Sequence, residues 1–126
     1  MCKLFIQADP ARWESSTRSL RIQGMVTSVR LENDFWDILT EVARRDAMTL
    51  PRLIARLYHE ALDAGHDLQN FTSFLRVCAT RYLRLQLAGD IPRRTDVPIR
   101  TLDADAILAR EASAAAPSPR ACHHPD

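Results

Sequence analysis

Residues 26–32, with the sequence VTSVRLE, decide the fold, because their side chains alternate and a helical pattern follows at once. A period of two places Thr27, Val29 and Leu31 on one face of a β-strand. The other face carries Val26, Ser28 and Arg30. A lone short strand can neither bury its apolar face nor pair its backbone groups, and no second strand of matching pattern stands nearby. We therefore expect this strand to pair with the same strand of a second copy of the chain.

Three helices follow the strand. Apolar side chains recur at helical spacing over about residues 33–45, 50–64 and 71–88. Thr49 is a good N-cap for the second helix, and Pro51 is tolerated in its first turn. Gly65 and Gly89 are the residues at which we expect the second and third helices to end. The sequence thus predicts a mainly α-helical domain with one short strand.

This domain is placed at residues 25–89, between a leader at residues 1–24 and a tail at residues 90–126. In the leader, Leu4, Phe5 and Ile6 suit a short strand, and a second alternation over residues 19–22 ends at Gly24 in a bulge or a turn. From Asp90 onward, five prolines and an alanine/serine-rich run indicate a flexible, disordered tail. Only residues 102–112 suit a brief helix there.

The composition is that of a small protein of the cell interior. The 126 residues carry a formal net charge of +1, and no apolar run is long enough to cross a bilayer or to form a signal peptide. The three cysteines, Cys2, Cys78 and Cys122, are odd in number and widely spaced, which argues against a disulfide framework. We therefore expect a cytoplasmic protein with no membrane partner.

Basic residues concentrate at the N-terminal end of the chain. Up to Leu31, five basic residues accompany only two acidic ones, Asp9 and Glu14. The basic residues are Lys3, Arg12, Arg18, Arg21 and Arg30. This is a modest electrostatic footprint for a polyanion, and a solvated arginine-rich leader accounts for it equally well.

No arrangement of residues in the sequence predicts catalysis or a cofactor. His59 and His66 lie seven residues apart, whereas a metal site on one helix face needs closer spacing. Cys122, His123 and His124 can hold a stray metal ion, but their position in the tail favours an incidental role. We therefore expect no enzyme, no metal site and no cofactor.

The order of strand, helix, short turn and helix resembles the ribbon-helix-helix superfamily. The residues that carry this resemblance are 27–36 (TSVRLENDFW) and 44–49 (RRDAMT). Residues 5–10 (FIQADP), 70–78 (NFTSFLRVC) and 81–84 (RYLR) are similar to a small bacterial family of these proteins with an added third helix. The resemblance covers about residues 3–92 and leaves out the tail.

The resemblance implies an obligate homodimer whose two antiparallel strands form a ribbon in the major groove of DNA. It also implies that outward strand side chains read bases. By position these are Val26, Ser28 and Arg30. Arg30 would donate two hydrogen bonds to a guanine edge, Ser28 would serve several bases, and Val26 would contact a thymine methyl group.

The resemblance further implies that the second helix points its N-terminus at a DNA phosphate. The positions concerned are Thr49, Leu50 and Arg52. The turn before this helix usually holds glycine in the family, whereas this chain has Ala47, which costs about 1 kcal/mol if the position needs positive φ. From the charge pattern, Arg18 and Arg21 are candidates for an arm along the DNA backbone or in the minor groove, and the alternatives are a disordered leader or a strand that extends the ribbon.

These observations predict a bacterial transcriptional regulator that binds DNA with sequence preference as a homodimer, with the third helix enlarging the core or building a larger oligomer. One alternative is an antitoxin-like module whose tail binds a protein partner. Another is a sensor that holds a small molecule between the third helix and the dimer. The tail motivates the first alternative, and the third helix motivates the second.

Overall fold

The computed structural model describes residues 2–115, which form one β-hairpin, five α-helices and two short 3₁₀ turns. The hairpin consists of β1 (Ser15–Ile22) and β2 (Met25–Glu32), paired antiparallel. The predicted strand is thus confirmed as β2. The prediction that no second strand lies nearby is wrong, because β2 has its partner within the same chain.

A two-residue turn closes the hairpin and fixes the pairing of its strands. Gln23 and Gly24 both have positive φ, 51° and 78°, as the central residues of a type I′ turn require. Glycine adopts this conformation at no steric cost, whereas Gln23 adopts it with some strain. Ile22 then faces Met25, and the pairing continues to Ser15 opposite Glu32. Of the two roles predicted for Gly24, the turn is the correct one.

The three central helices agree with the sequence to within one residue at their ends. They are α2 (Asn33–Arg45), α3 (Leu50–Asp63) and α4 (Phe71–Leu87). Thr49 caps α3, since its hydroxyl accepts a hydrogen bond from the backbone N–H of Arg52 at 3.3 Å. Gly65 and Gly89 follow the ends of α3 and α4 with φ of 82° and 85°. Ala47 in the turn between α2 and α3 has a φ of 55°, the conformation for which alanine is costly.

The core lies between one face of the hairpin and the three central helices. At the centre of this core lies Trp36, whose side chain is 1% exposed. Its indole N–H donates a hydrogen bond to the backbone carbonyl of Ser16 at 2.9 Å. This bond joins α2 to β1 and satisfies the one polar atom of the buried ring. The other large side chains with less than 2% exposure are Leu31, Leu39, Ile54 and Leu75.

The N-terminal segment differs from the prediction. Residues 2–6 form a short helix, α1 (Cys2–Ile6), and not a strand. Asp9 then caps a 3₁₀ turn, Pro10–Arg12, by accepting a hydrogen bond from Ala11. The predicted leader boundary at residue 24 falls in the hairpin turn, because β1 occupies most of the preceding residues.

Residues 90–115 are folded against the domain, which corrects the prediction of a flexible tail for this part of the chain. Residues 104–114 form α5 (Ala104–Ala114), close to the brief helix expected at residues 102–112. Arg81 of α4 binds both carboxylate oxygens of Glu111 in α5, and Arg110 of α5 binds Asp90. Residues 116–126, including Cys122, His123 and His124, lie outside the described residues.

Arg45, the last residue of α2, anchors the chain between α4 and α5. It is 5% exposed, and its guanidinium donates hydrogen bonds at 2.7–3.0 Å to the backbone carbonyls of Pro92, Arg94 and Val97. It also donates to the hydroxyl of Tyr82, which in turn donates to Glu41. The buried charge is therefore fully hydrogen-bonded, as burial of a charge requires.

Over residues 2–115, no helix is long and apolar enough to cross a membrane. Cys2 and Cys78 are free thiols, the first exposed and the second half-buried. Burial raises the pKa of the Cys78 thiol to about 11.

Candidate nucleic-acid interface

The outward face of the hairpin is a continuous polar surface. Residues directly opposite each other in an antiparallel pair share a face, and three such pairs are exposed here. The pairs are Thr17 with Arg30, Ser19 with Ser28, and Arg21 with Val26. Together they present three hydroxyls, two guanidinium groups and one branched alkyl group. We call these six residues the ribbon face.

The opposite side of the same strands is the core side. Leu20 and Ile22 of β1 and Val29 and Leu31 of β2 are each 5% exposed or less. Val26, by contrast, is 65% exposed on the ribbon face. A single exposed apolar side chain is ordinary on a protein surface, so Val26 by itself does not indicate a binding partner. The predicted alternation therefore places Val26, Ser28 and Arg30 together and outward.

The charge on the ribbon face is positive. The guanidinium of Arg21 donates to the backbone carbonyl of Gly24 at 3.3 Å, while Arg30 makes no ion pair or hydrogen bond within residues 2–115. The nearest acidic strand residue, Glu32, is bound by Arg76 of α4 through two bonds of 2.9 and 3.3 Å. These bonds lower the pKa of Glu32, so its charge is already compensated.

Arg18 lies on the other side of the hairpin from Arg21. Its guanidinium carbon is 5.0 Å from the centroid of the Trp36 ring, a cation–π arrangement at the edge of the core. Of the alternatives for Arg18 and Arg21, the strand is the one that the structure has, because both residues lie in β1. Their side chains lie on opposite faces of the hairpin.

The beginning of α3 forms a second candidate surface, apart from the hairpin turn. Leu50 is 7% exposed and packs into the core, so only its backbone faces the helix end, whereas Thr49 and Arg52 are exposed. Gln23 in the hairpin turn contacts the ring nitrogen of His59 at 3.2 Å. The helix end at Thr49 is ten residues before His59, about 15 Å along α3. The structure therefore does not bring Thr49 beside Arg21 and Val26.

Thr17 and Ser19 are ribbon-face residues that the sequence pattern did not reveal. The sequence does not predict a strand at residues 15–19, because these residues are polar and show no apolar alternation. A signal was present in Gly24, which follows Gln23 at the position of a two-residue hairpin turn. Reading outward from that turn pairs Ser19 with Ser28.

Over residues 2–115, no three histidine, cysteine, aspartate or glutamate side chains lie close enough together to hold a metal ion. His59 approaches Asp63 of the same helix at 3.9 Å, one turn away, and His66 lies beyond the end of α3. The spacing of His59 and His66 therefore does not produce a shared site.

Comparison with known proteins identifies the fold family. A family model described as a ribbon-helix-helix domain matches residues 15–83, from the first residue of β1 into α4. The chain belongs to the ribbon-helix-helix family. Its members generally bind DNA and dimerise. For this ribbon-helix-helix protein the match includes β1, so the hairpin as a whole lies within the family domain.

A solved structure extends the likeness beyond the family domain. This structure is of an uncharacterized protein from Bordetella pertussis Tohama I, which is 52% identical in sequence and superimposes with a TM-score of 0.82. The alignment covers 86% of this ribbon-helix-helix chain and 86% of that one. No curated protein matches the chain.

Proposed function

We propose that this protein is a bacterial transcriptional regulator that binds DNA with sequence preference, and that its ribbon face enters the major groove. The observation that carries this proposal is the uncovered ribbon face, which has two guanidinium groups, while the neighbouring carboxylate of Glu32 is bound by Arg76. A two-stranded ribbon is one of the two shapes that the major groove admits. The ribbon face therefore has the shape and the charge that this proposal requires.

Each ribbon-face side chain on β2 has a defined chemical use. Arg30 makes no ion pair or hydrogen bond within the described residues, so its guanidinium group is available to the two hydrogen-bond acceptors of a guanine edge. Ser28 donates or accepts one hydrogen bond, and Val26 offers an apolar contact to a thymine methyl group. Arg21 is held toward the turn by Gly24 and is suited to a backbone phosphate.

The N-terminus of α3 is the proposed phosphate contact. Pro51 has no N–H, and the N–H of Arg52 is used by the Thr49 hydroxyl. The N–H of Leu53 bonds to the carbonyl of Thr49, which leaves the N–H of Leu50 as the donor of the first turn. A phosphate would thus be held by Leu50 N–H, the Thr49 hydroxyl and the Arg52 side chain.

We further propose that the protein acts as a homodimer. Dimerisation is general in the family, and this chain leaves large apolar side chains exposed on α1. Leu4, Phe5 and Ile6 are between 63% and 77% exposed. Three apolar residues of α2, Phe35, Ile38 and Val42, are only half-buried. Sedimentation velocity tests the proposal, because a dimer is expected at micromolar concentration and a monomer would contradict it.

The test of DNA binding is selection from a random duplex pool, with fluorescence anisotropy at low and moderate salt. Wild-type protein is expected to bind in a salt-dependent manner and to enrich a motif. Arg30→Ala is expected to relax the motif at a guanine position. If wild-type protein shows no binding even at low salt, the proposed function is wrong.

The alternative of a tail that folds on a protein partner has lost part of its basis. It required a flexible segment from residue 90 onward, whereas residues 90–115 are already packed against α2 and α4. It now concerns residues 116–126, outside the described range. The sensor alternative places a small molecule between the third helix, α4, and the dimer. A cavity of about 280 Å³ within one chain, between α4 and α5, is a different place. A thermal melt that responds to no metabolite would count against the sensor.

A further inference from the structure

We propose that Arg100, in the segment between α4 and α5, contacts a phosphate of the DNA backbone beside the first turn of α3. This role of Arg100 rests on the proposed DNA-binding function. The ribbon-helix-helix model matches residues 15–83, so Arg100 adds a contact from outside the family domain. In a homodimer the contact would occur once in each copy, however the strands of the two copies pair.

Hydrogen bonds from two consecutive residues hold this segment at the end of α2. Arg45 is 5% exposed and donates to three backbone carbonyls between residues 92 and 97. Asp46 accepts a hydrogen bond from the backbone N–H of Arg100 at 3.2 Å. Arg100 is the middle residue of a 3₁₀ turn, Ile99–Thr101. These bonds place Arg100 beside the turn that leads from α2 into α3.

The side chain of Arg100 is available to a ligand at this position. It is 60% exposed, and its guanidinium group approaches the carboxylate of Asp46 to 3.8 Å, an ion pair without a hydrogen bond. Asp46 lies three residues before Thr49, the N-cap of α3. Three residues span at most about 11 Å. The guanidinium group of Arg100 and the exposed side chain of Arg52 are therefore within reach of the same stretch of DNA backbone.

Arg100 also determines the charge around the turn between α2 and α3. Arg44 and Arg52 are exposed there, and neither makes an ion pair within residues 2–115. The carboxylate of Asp46 lies in the same turn and would repel a phosphate group. Arg100 offsets that charge, because three guanidinium groups and one carboxylate leave two positive charges in excess. A positive surface of this kind favours contact with the DNA backbone.

The other acidic residues near Arg100 in the sequence have partners elsewhere in the fold. Asp96 accepts hydrogen bonds from Arg94 at 3.2 and 2.7 Å. Asp103 caps α5 by accepting a hydrogen bond from the backbone N–H of Ala106 at 3.0 Å. Neither carboxylate therefore competes with a phosphate group for the guanidinium group of Arg100.

Three single variants test the role of Arg100. Arg100→Gln removes the charge and keeps the backbone N–H that binds Asp46. Arg93→Gln is the matched control, because Arg93 is an exposed arginine of the same segment that makes no ion pair within residues 2–115. Asp46→Asn removes the opposing charge and keeps an acceptor for the N–H of Arg100. Each variant is compared with wild type by selection from a random duplex pool and by fluorescence anisotropy across a salt series. Thermal melting establishes that each variant is folded.

Arg100→Gln is expected to weaken binding by about three- to tenfold on every duplex, to leave the enriched motif unchanged, and to reduce the salt slope by about 0.9 per bound chain. Asp46→Asn is expected to bind about twofold or more tightly, and Arg93→Gln to stay within about twofold of wild type. If Arg100→Gln binds as Arg93→Gln does, or changes the motif, the role of Arg100 is wrong and the DNA-binding function stands. If wild-type protein binds no DNA, both proposals fail.

Discussion

At the scale of single residues, Ala47 shows how a family pattern becomes a physical prediction. The family resemblance implies a glycine in the turn before α3, and alanine is costly there if φ is positive. The structure gives Ala47 a φ of 55°. The side chain of alanine is disfavoured in this region because its Cβ approaches the following carbonyl. The strain lies in the backbone and does not alter the fold.

Replacing Ala47 with glycine should therefore raise the free energy of unfolding by about 1 kcal/mol. Urea denaturation monitored by circular dichroism measures the change. Ala55→Gly, inside α3, is the matched control, and we expect it to lower the free energy of unfolding by about 1 kcal/mol. Equal destabilisation by both substitutions would contradict the strained turn.

Glu32 gives a second prediction at this scale, concerning pH. Its hydrogen bonds with Arg76 lower its pKa from an ordinary value of 4.5, so the folded state favours the charged form. The resulting stabilisation is present above pH 4.5 and is lost as the pH falls through the lowered pKa. Glu32→Gln should therefore lose less stability than wild type between about pH 5 and pH 3. Parallel urea titrations that show the same acid dependence for both proteins would contradict this account.

At the scale of secondary-structure elements, the helices and the hairpin differ in how far the sequence predicts them. The helices α2, α3 and α4 follow from apolar spacing, a threonine cap and two glycine stops, all of which are local signals. The strand β1 was missed because its outer half is polar and its apolar alternation is limited to Leu20 and Ile22. Its assignment depends on recognising the two-residue turn at Gln23 and Gly24, which is local, and on packing against α3, which is non-local.

The two faces of β2 give a paired prediction. Val29 is 4% exposed on the core side, whereas Val26 is 65% exposed on the ribbon face. Val29→Asp should unfold the protein, because an unpaired buried carboxylate costs several kcal/mol in a domain of this size. Val26→Asp should remain folded and bind DNA more weakly. Circular dichroism and thermal melting decide the first point, and a well-folded Val29→Asp protein would contradict the assigned faces.

The position of the segment after α4 depends on the hydrogen bonds of Arg45. These bonds span about fifty residues of sequence, so no local pattern predicts them. Arg45→Met should lower the free energy of unfolding by about 3 kcal/mol, since it leaves buried carbonyls without donors. It should also expose residues 90–101 to limited proteolysis. Arg44→Met, at the exposed neighbouring position, should change stability by less than about 0.5 kcal/mol. Identical proteolysis of the two variants would show that Arg45 does not hold this segment.

At the scale of the whole molecule, the function depends on where charge lies and not on its total. A formal net charge of +1 gives little general attraction for a polyanion. The outward strand residues were predicted from alternation alone, because a period of two fixes the face of each side chain. The sequence did not separate Arg18 from Arg21, because their faces follow only once residues 15–22 are recognised as a strand. It also did not separate the N-terminus of α3 from the hairpin turn, because that distance depends on how the elements pack.

The most direct test of the central claim, that the ribbon face binds DNA, compares two double variants that lose the same charge. Arg21→Gln with Arg30→Gln removes both guanidinium groups of the ribbon face, whereas Arg84→Gln with Arg93→Gln removes two exposed arginines on or after α4. Fluorescence anisotropy on a random duplex pool across a salt series measures the affinity. We predict that the first variant binds about tenfold or more weakly with a shallower salt dependence, and that the second stays within about twofold of wild type. Equal binding by the two variants would contradict the account.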